Sequence, residues 1–324
     1  MLNFRCASAY LIGAALTVGT LSLSSAAQAA DIPAVKAVPK ATPWVLDVHG
    51  YADLTYATNR VTGGGILIYP NTSSLWQIDT GLKLDIYKNP AGFINSFSVF
   101  GGIWNEYWTD NTPGTRQWQE MDWWVGFTVG FARYWSITAQ RVQFEFPSGG
   151  GQTNYAVTLG FNDAFTGWPI VFNPYVTYWA NPSGGRNIGT GAHSYRIEVG
   201  MKPTVALFKG STLPLTLTFP TWMELGPTEY WDRGDGTTNV CGTTGTAPCS
   251  TGSLGYVSTG IQARLSLEAF IPKRLGSWYL KGGAQYYYFN NDILLANQVG
   301  GSVPNFASAH RDVVVGTAGL GFSF

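Results

Sequence analysis

From Leu46 to the last residue, apolar and polar side chains recur with a period of two. In Trp76-Gln-Ile78-Asp-Thr80-Gly-Leu82-Lys-Leu84-Asp-Ile86 one face is almost wholly apolar, while Gln77, Asp79, Lys83 and Asp85 occupy the other. A helix would mix those two sets; an extended strand separates them. The same alternation runs through 121–131, 195–201 and 257–267. Segments of this kind predict about twelve strands, near 46–58, 75–88, 93–108, 121–133, 135–146, 153–162, 171–180, 193–202, 213–225, 254–269, 277–289 and 312–324. Most are long enough for a tilted strand crossing a bilayer, roughly 9–11 residues. Three places disturb the pattern. Pro174 and Pro220 fall inside predicted strands, and residues 135–141 put Gln140 on the apolar face, which predicts a β-bulge there.

The connections alternate in length. Asn89–Gly92, Arg133–Tyr134 and Pro272–Gly276 are short, and those near 163–170 and 203–212 somewhat longer. The others, near 59–74, 109–120, 147–152, 181–192, 226–253 and 290–311, are mostly long and rich in Gly, Asn, Thr and Ser. Short periplasmic turns and long extracellular loops are the asymmetry of outer-membrane barrels, and an even strand number returns both chain ends to the periplasm. The expected fold is therefore all-β, a transmembrane antiparallel β-barrel over residues 45–324.

Composition agrees. Only 12% of residues are charged and 15% are aromatic, with 40 glycines, against about 25% charged in an ordinary soluble domain. After residue 29 no apolar run approaches helical spanning length. A barrel reconciles sparse charge with the lack of apolar runs, because lipid-facing and lumen-facing side chains alternate.

Residues 1–29 read as a signal peptide. Arg5 precedes the apolar stretch Tyr10–Leu23, and Ala27-Gln28-Ala29 supplies the small-residue cleavage pattern. Residues 30–44, with three prolines and two lysines, read as a periplasmic linker. Removing Arg5 from 19 Lys+Arg leaves 18 against 19 Asp+Glu, so net charge offers no reason to invoke nucleic acid. Cys6 leaves with the signal; Cys241 and Cys249 are then an even pair in an exported chain, the expectation for a disulfide closing a short loop.

The last strand, Val314-x-Gly316-x-Ala318-x-Leu320-x-Phe322-x-Phe324, ends on phenylalanine with apolar or small residues at every second position. It resembles the C-terminal signature of Gram-negative outer-membrane barrels, which implies insertion into the cell outer membrane by the barrel-assembly machinery, through Phe324, among lipid and lipopolysaccharide. The start Ala30-Asp31-Ile32-Pro33, with its Lys/Pro-rich continuation, resembles the mature ends of alphaproteobacterial outer-membrane proteins. In size and strand number the chain is similar to small porins of the TorF-like group, which implies a solute channel.

The polar face then becomes a lumen. The alternation assigns to it Asp47, His49, Asp53, Asp79, Lys83, Asp85, Glu106, Asp122, Arg141, Glu145, Arg196, Glu198, Lys202, Arg264, Glu268 and Lys281. Of these, Asp79, Lys83, Asp85, Asp122, Arg141, Arg196, Glu198, Arg264 and Glu268 are the candidate pore-lining set. Charges of both signs across a wet bore select small polar solutes; the same charges pairing with one another would fill a barrel that conducts nothing. Tyr51, Trp104, Trp124, Tyr175, Trp179, Tyr256 and Tyr279 fall on the same face. They could stack on sugar rings or nucleobases, or belong to the interfacial girdles.

Two other classes compete. A structural or adhesive barrel would use loops 226–253 and 290–311. A lipid hydrolase would need a Ser–His pair; His193-Ser194 point to opposite faces of a strand, and Ser308 and His310 have only Asp312 to orient them. The expectation is a channel, not an enzyme, with no cofactor and no metal, since no ligand spacing is present. Whether it forms an oligomer is left open.

Overall fold

The computed structural model describes residues 44–62, 67–68, 74–109, 117–147, 151–182, 194–208, 210–211, 213–231, 252–297 and 310–324. The expected signal peptide, the linker up to residue 43, and the Cys241–Cys249 pair lie outside the described residues.

Among the described residues sixteen strands follow one another: β1 (Trp44–Ala57), β2 (Arg60–Val61), β3 (Leu67–Ile68), β4 (Leu75–Lys88), β5 (Ile94–Trp108), β6 (Trp118–Phe131), β7 (Trp135–Glu145) and β8 (Gly151–Phe161) in the first half. Then come β9 (Tyr175–Asn181), β10 (Ser194–Met201), β11 (Thr204–Leu207), β12 (Leu215–Thr218), β13 (Thr221–Leu225), β14 (Leu254–Ser266), β15 (Ser277–Phe289) and β16 (Asp312–Ser323). Among the described residues two short α-helices sit in loops, α1 (Thr228–Trp231) and α2 (Asp292–Asn297). All pairing is antiparallel, and β1 closes the ring on β16.

β2 and β3 pair only with each other, outside the ring's ladder; the other fourteen strands make twelve spans, because β10–β11 and β12–β13 are each one strand interrupted at a proline. The β12 pair Thr218↔Gln262 and the β13 pair Thr221↔Thr259 keep one register against β14. Likewise Met201↔Thr221 and Thr204↔Thr218 keep one register between the two interrupted strands. Pro203 and Pro220 have no N–H to give to the ladder, so bonding lapses without a shift of register. Pro174 sits just before β9, where its carbonyl still accepts from the Phe161 N–H.

The expected bulge at 135–141 is absent. Ala132 and Arg133 adopt positive φ in a tight turn, and β7 then pairs with β6 without a break from Phe131↔Trp135 to Met121↔Glu145. That turn, which the alternation alone cannot register, reverses the inferred facing of β7. Gln140 lies opposite Gly126 on the inner face, and Arg141 lies opposite Val125 on the outer one.

The outer face is apolar, with Leu54, Ile78, Leu82, Ile103, Val125, Phe127, Val157, Leu159, Ile261, Leu280 and Leu320 all exposed. Exposed aromatics gather at both rims: Trp76, Tyr107, Trp118, Tyr195 and Tyr288 at the long-loop end, and Trp44, Phe93, Trp135, Trp168 and Phe324 at the short-turn end. An apolar belt between two aromatic girdles is what a bilayer demands of a barrel. No described helix is long and apolar enough to cross a membrane; this chain crosses with strands.

Candidate functional site: the barrel interior

Residues directly opposite in neighbouring strands share a face, so the register itself sorts inside from outside. One inner row runs through His49, Lys83, Phe100, Gly126, Gln140, Ala156, Trp179 and Arg196. Another runs through Tyr279, Gly321, Asp53, Asp79, Trp104 and Asp122. Of the candidate pore-lining residues, Asp79, Lys83, Asp85, Asp122, Arg196, Glu198 and Arg264 fall on this inner face. All seven interior aromatics named from the alternation lie there as well.

Two candidates do not. Arg141 stands outside, its guanidinium 4.9 Å over the Trp123 ring and donating to Gln143 Oε1 at 3.3 Å. Glu145 follows it on the outer face by the same alternation. Glu268 lies past the end of β14 in a short-end turn, where it pairs with Lys273 at 3.1 Å. Arg141 went astray with the register of β7, and Glu268 because the period of two was carried past the end of its strand.

The inner charges form layers. At the short-turn mouth Asp85 meets Lys83 at 2.8 Å, Lys88 at 3.0 Å and His49 Nε2 at 3.3 Å, and Lys88 also reaches Asp47 at 3.1 Å. Farther in, Lys281 meets Asp53 at 2.9 Å. Tyr279 donates to Asp53 at 2.6 Å and Tyr51 to Asp79 at 3.0 Å, while Arg264 lies 3.5 Å over the Tyr279 ring. Glycine makes this possible at Gly321, where a Cβ would collide with the Tyr279 ring. Asp53, Asp79, Arg264, Tyr279 and Lys281 line a cavity of about 480 Å³ with Gln77, Thr216 and Gln262.

Above it, Arg60 just after β1 reaches into the bore. It begins the short hairpin of β2 with β3 and lies against Glu106 at 3.1 Å and Glu120, with the guanidinium 4.3 Å over Trp104. Across the barrel Arg196 engages Glu224, lies 3.7 Å from Glu198 and sits 4.4 Å over Trp179. Tyr175 donates to Glu198 at 2.6 Å. Two further cavities, of about 170 and 390 Å³, lie at this level. Gln262 lines all three spaces, which therefore adjoin.

Toward the long-loop end the interior turns apolar. Tyr230 and Trp231 of α1 and Leu294 and Leu295 of α2 pack with Ala57, Leu75, Tyr256, Phe289, Val313 and Val315. Trp222 and Tyr287 pack against the base of this cluster. Alternation finds strand residues, so it could not place Arg60 or the α1 and α2 side chains, which enter from loops. Glu120 and Glu224 lie at or near strand ends, on the faces of Asp122 and Trp222, and the same period could have found them.

No family model matches the chain, and no curated protein matches it. Among solved structures, the β domain of the Bordetella autotransporter BrkA is 12% identical, with 86% of this chain and 100% of that one covered and a TM-score of 0.40. The NanC porin is 11% identical over 84% and 98%, with a TM-score of 0.40. The outer-membrane protease OmpT from Escherichia coli is 10% identical over 86% and 96%, with a TM-score of 0.21. Likeness this slight selects no function among an autotransporter domain, a porin and a protease. The strand ladder, the closure of β1 on β16 and the belted outer face describe a closed antiparallel barrel of the outer membrane.

Proposed function

We propose that the protein is a channel through which small hydrophilic solutes diffuse passively across the outer membrane. The observation that carries this reading is the chain of adjoining cavities around Gln262, walled by Asp53, Asp79, Arg264 and Lys281 on one side and by Glu198, Glu224 and Lys202 on the other. Charges of opposite sign held across a polar space favour small polar solutes over apolar ones. In this reading Asp79, Lys83, Asp85, Asp122, Arg196, Glu198 and Arg264 set the field in the bore, and the protein is no enzyme. A second reading has its own support: the apolar cluster around Trp231 and Leu294 fills the interior at the long-loop end, as in a barrel that serves as a scaffold and conducts nothing. A planar bilayer separates them. Protein purified from outer membranes is expected to give discrete, reproducible conductance steps; silence from protein shown to be folded would support the scaffold.

A further inference from the structure

The largest of the three cavities holds two opposite charges that have no ionic partner. Arg264 projects from β14 and Asp79 from β4, with β15, β16 and β1 between them in the ring, and both line the same space of about 480 Å³. The other two charges of that space satisfy each other, since Lys281 lies 2.9 Å from Asp53. Arg264 is exposed to the bore. Among the described residues its guanidinium engages the Tyr279 ring, 3.5 Å away, and no acceptor. Asp79 is half-buried; its Oδ1 accepts from the Tyr51 hydroxyl at 3.0 Å, and its Oδ2 has no donor among the described residues.

Each of these groups is set up for a partner of its own. A guanidinium stacked on a ring has its plane fixed, and the N–H groups along its edge match the two oxygens of a carboxylate. An ionised carboxylate oxygen that faces a polar space accepts most strongly from a charged donor such as an ammonium. Tyr279 holds the guanidinium in place from below, and its own hydroxyl is fixed by donation to Asp53 at 2.6 Å. Between the two charges the wall carries Gln77, Gln262 and Thr216. Their amides and hydroxyl can replace the hydrogen bonds that a polar ligand gives up on leaving water.

Two acids against two bases leave this space without net charge. A solute of one sign is therefore drawn to one wall and repelled by the other, whereas a solute with both signs gains at both. The three strands between Arg264 and Asp79 require those signs to stand several bonds apart, farther than on the single carbon of an α-amino acid. The volume is within the roughly 300–1,000 Å³ of small-molecule sites. We infer that this cavity is a binding subsite for zwitterionic short peptides: the terminal carboxylate bonds the Arg264 guanidinium, the terminal ammonium donates to Asp79 Oδ2, and the peptide amides meet Gln77, Gln262 and Thr216. The assignment rests on the channel reading for its place on a solute path, although binding itself requires no conduction.

The test is isothermal titration calorimetry of protein purified from outer membranes in detergent, with dialanine and trialanine. Their C-terminal amides lack the carboxylate, and their N-acetyl forms lack the ammonium. Each preparation is checked for its heat-shifted mobility on a gel. Saturable binding of at least one free peptide is expected, with each capped form weaker by about tenfold, the scale of one charge-assisted hydrogen bond. Arg264→Gln should weaken the free peptide and erase its advantage over the amide; Asp79→Asn, which keeps an acceptor for Tyr51, should erase its advantage over the N-acetyl form. If one variant does not fold, the other carries the test with its own pair of ligands. No saturation by either free peptide, equal affinity for free and capped forms, or unchanged discrimination in the folded variants would overturn the assignment. Conductance without peptide binding would remove the subsite and leave the channel; peptide binding without conductance would do the reverse.

Discussion

Arg60 reaches from a loop into the bore and lies between Glu106 and Glu120, two carboxylates directly opposite one another on neighbouring strands. Glu106 is 1% exposed, so the two acids depend on the guanidinium for compensation. Removing one partner of a buried ion pair destabilises by about 3–5 kcal/mol, because the remaining charge stays desolvated. Arg60→Ala is therefore expected to lower the urea midpoint of unfolding, and in a conducting channel to raise both conductance and cation preference. An unchanged midpoint would place Arg60 outside the load this cluster bears. Asp163 presents the opposite case, in a short-end turn outside the spans. Burial works against its ionisation, but the backbone N–H groups of Phe172 and Asn173, each 2.9 Å away, outweigh that and hold its carboxyl below the ordinary value. A depressed pKa stabilises the folded turn above the unfolded value of about 3.9 and loses that contribution as pH falls through the folded value. The protection of the Phe172 and Asn173 amides, their exchange relative to the intrinsic rate at each pH, is expected to hold above pH 4 or so and to fall below it. Asp163→Asn should abolish that pH dependence; a variant that kept it would assign the effect to another group.

At the scale of elements, the two helices bear most on function. Trp231 and Leu294 are fully buried although each belongs to a helix of a few residues, too short to be stable alone. Their burial against Tyr256 and Phe289 holds the two helices in the mouth. Trp231→Ala, a truncation of the kind that typically costs about 3–5 kcal/mol in a packed core, is expected to loosen this plug. In bilayers the conductance should rise or flicker between levels, while the barrel keeps its heat-shifted mobility. Identical conductance would show that the passage runs clear of the cluster. The proline interruptions at Pro203 and Pro220 are the other feature of this scale. They stop the ladder at one level in adjacent strands, where the Phe219 N–H instead donates to the Pro203 carbonyl at 2.7 Å. The pattern of apolar positions passes through both, which is why the strand containing Pro220 was legible despite its proline.

At the scale of the whole molecule, the described inner face carries Asp53, Asp79, Asp85, Glu106, Glu120, Asp122, Glu198 and Glu224 against Arg60, Lys83, Arg196, Lys202, Arg264 and Lys281. The excess of acids survives the transfer of Arg141 to the outer wall and of Glu268 to a turn. A conducting barrel is expected to show mild cation preference in reversal-potential measurements across a salt gradient at neutral pH; anion preference would mean that the bases control the narrowest point. The twelve spans, their antiparallel order and the apolar belt were readable from sequence, because a period of two is a property of each strand alone and a bilayer enforces it on every span. Facing on β7 was not, since one tight turn at Ala132-Arg133 sets its register and a shift of one residue exchanges the two faces. The entry of Arg60 between Glu106 and Glu120, the burial of Trp231 and Leu294, and the meeting of Arg196 with Glu224 belong to the tertiary structure. They bring together residues distant along the chain through packing and ion pairing, and no local periodicity encodes such meetings.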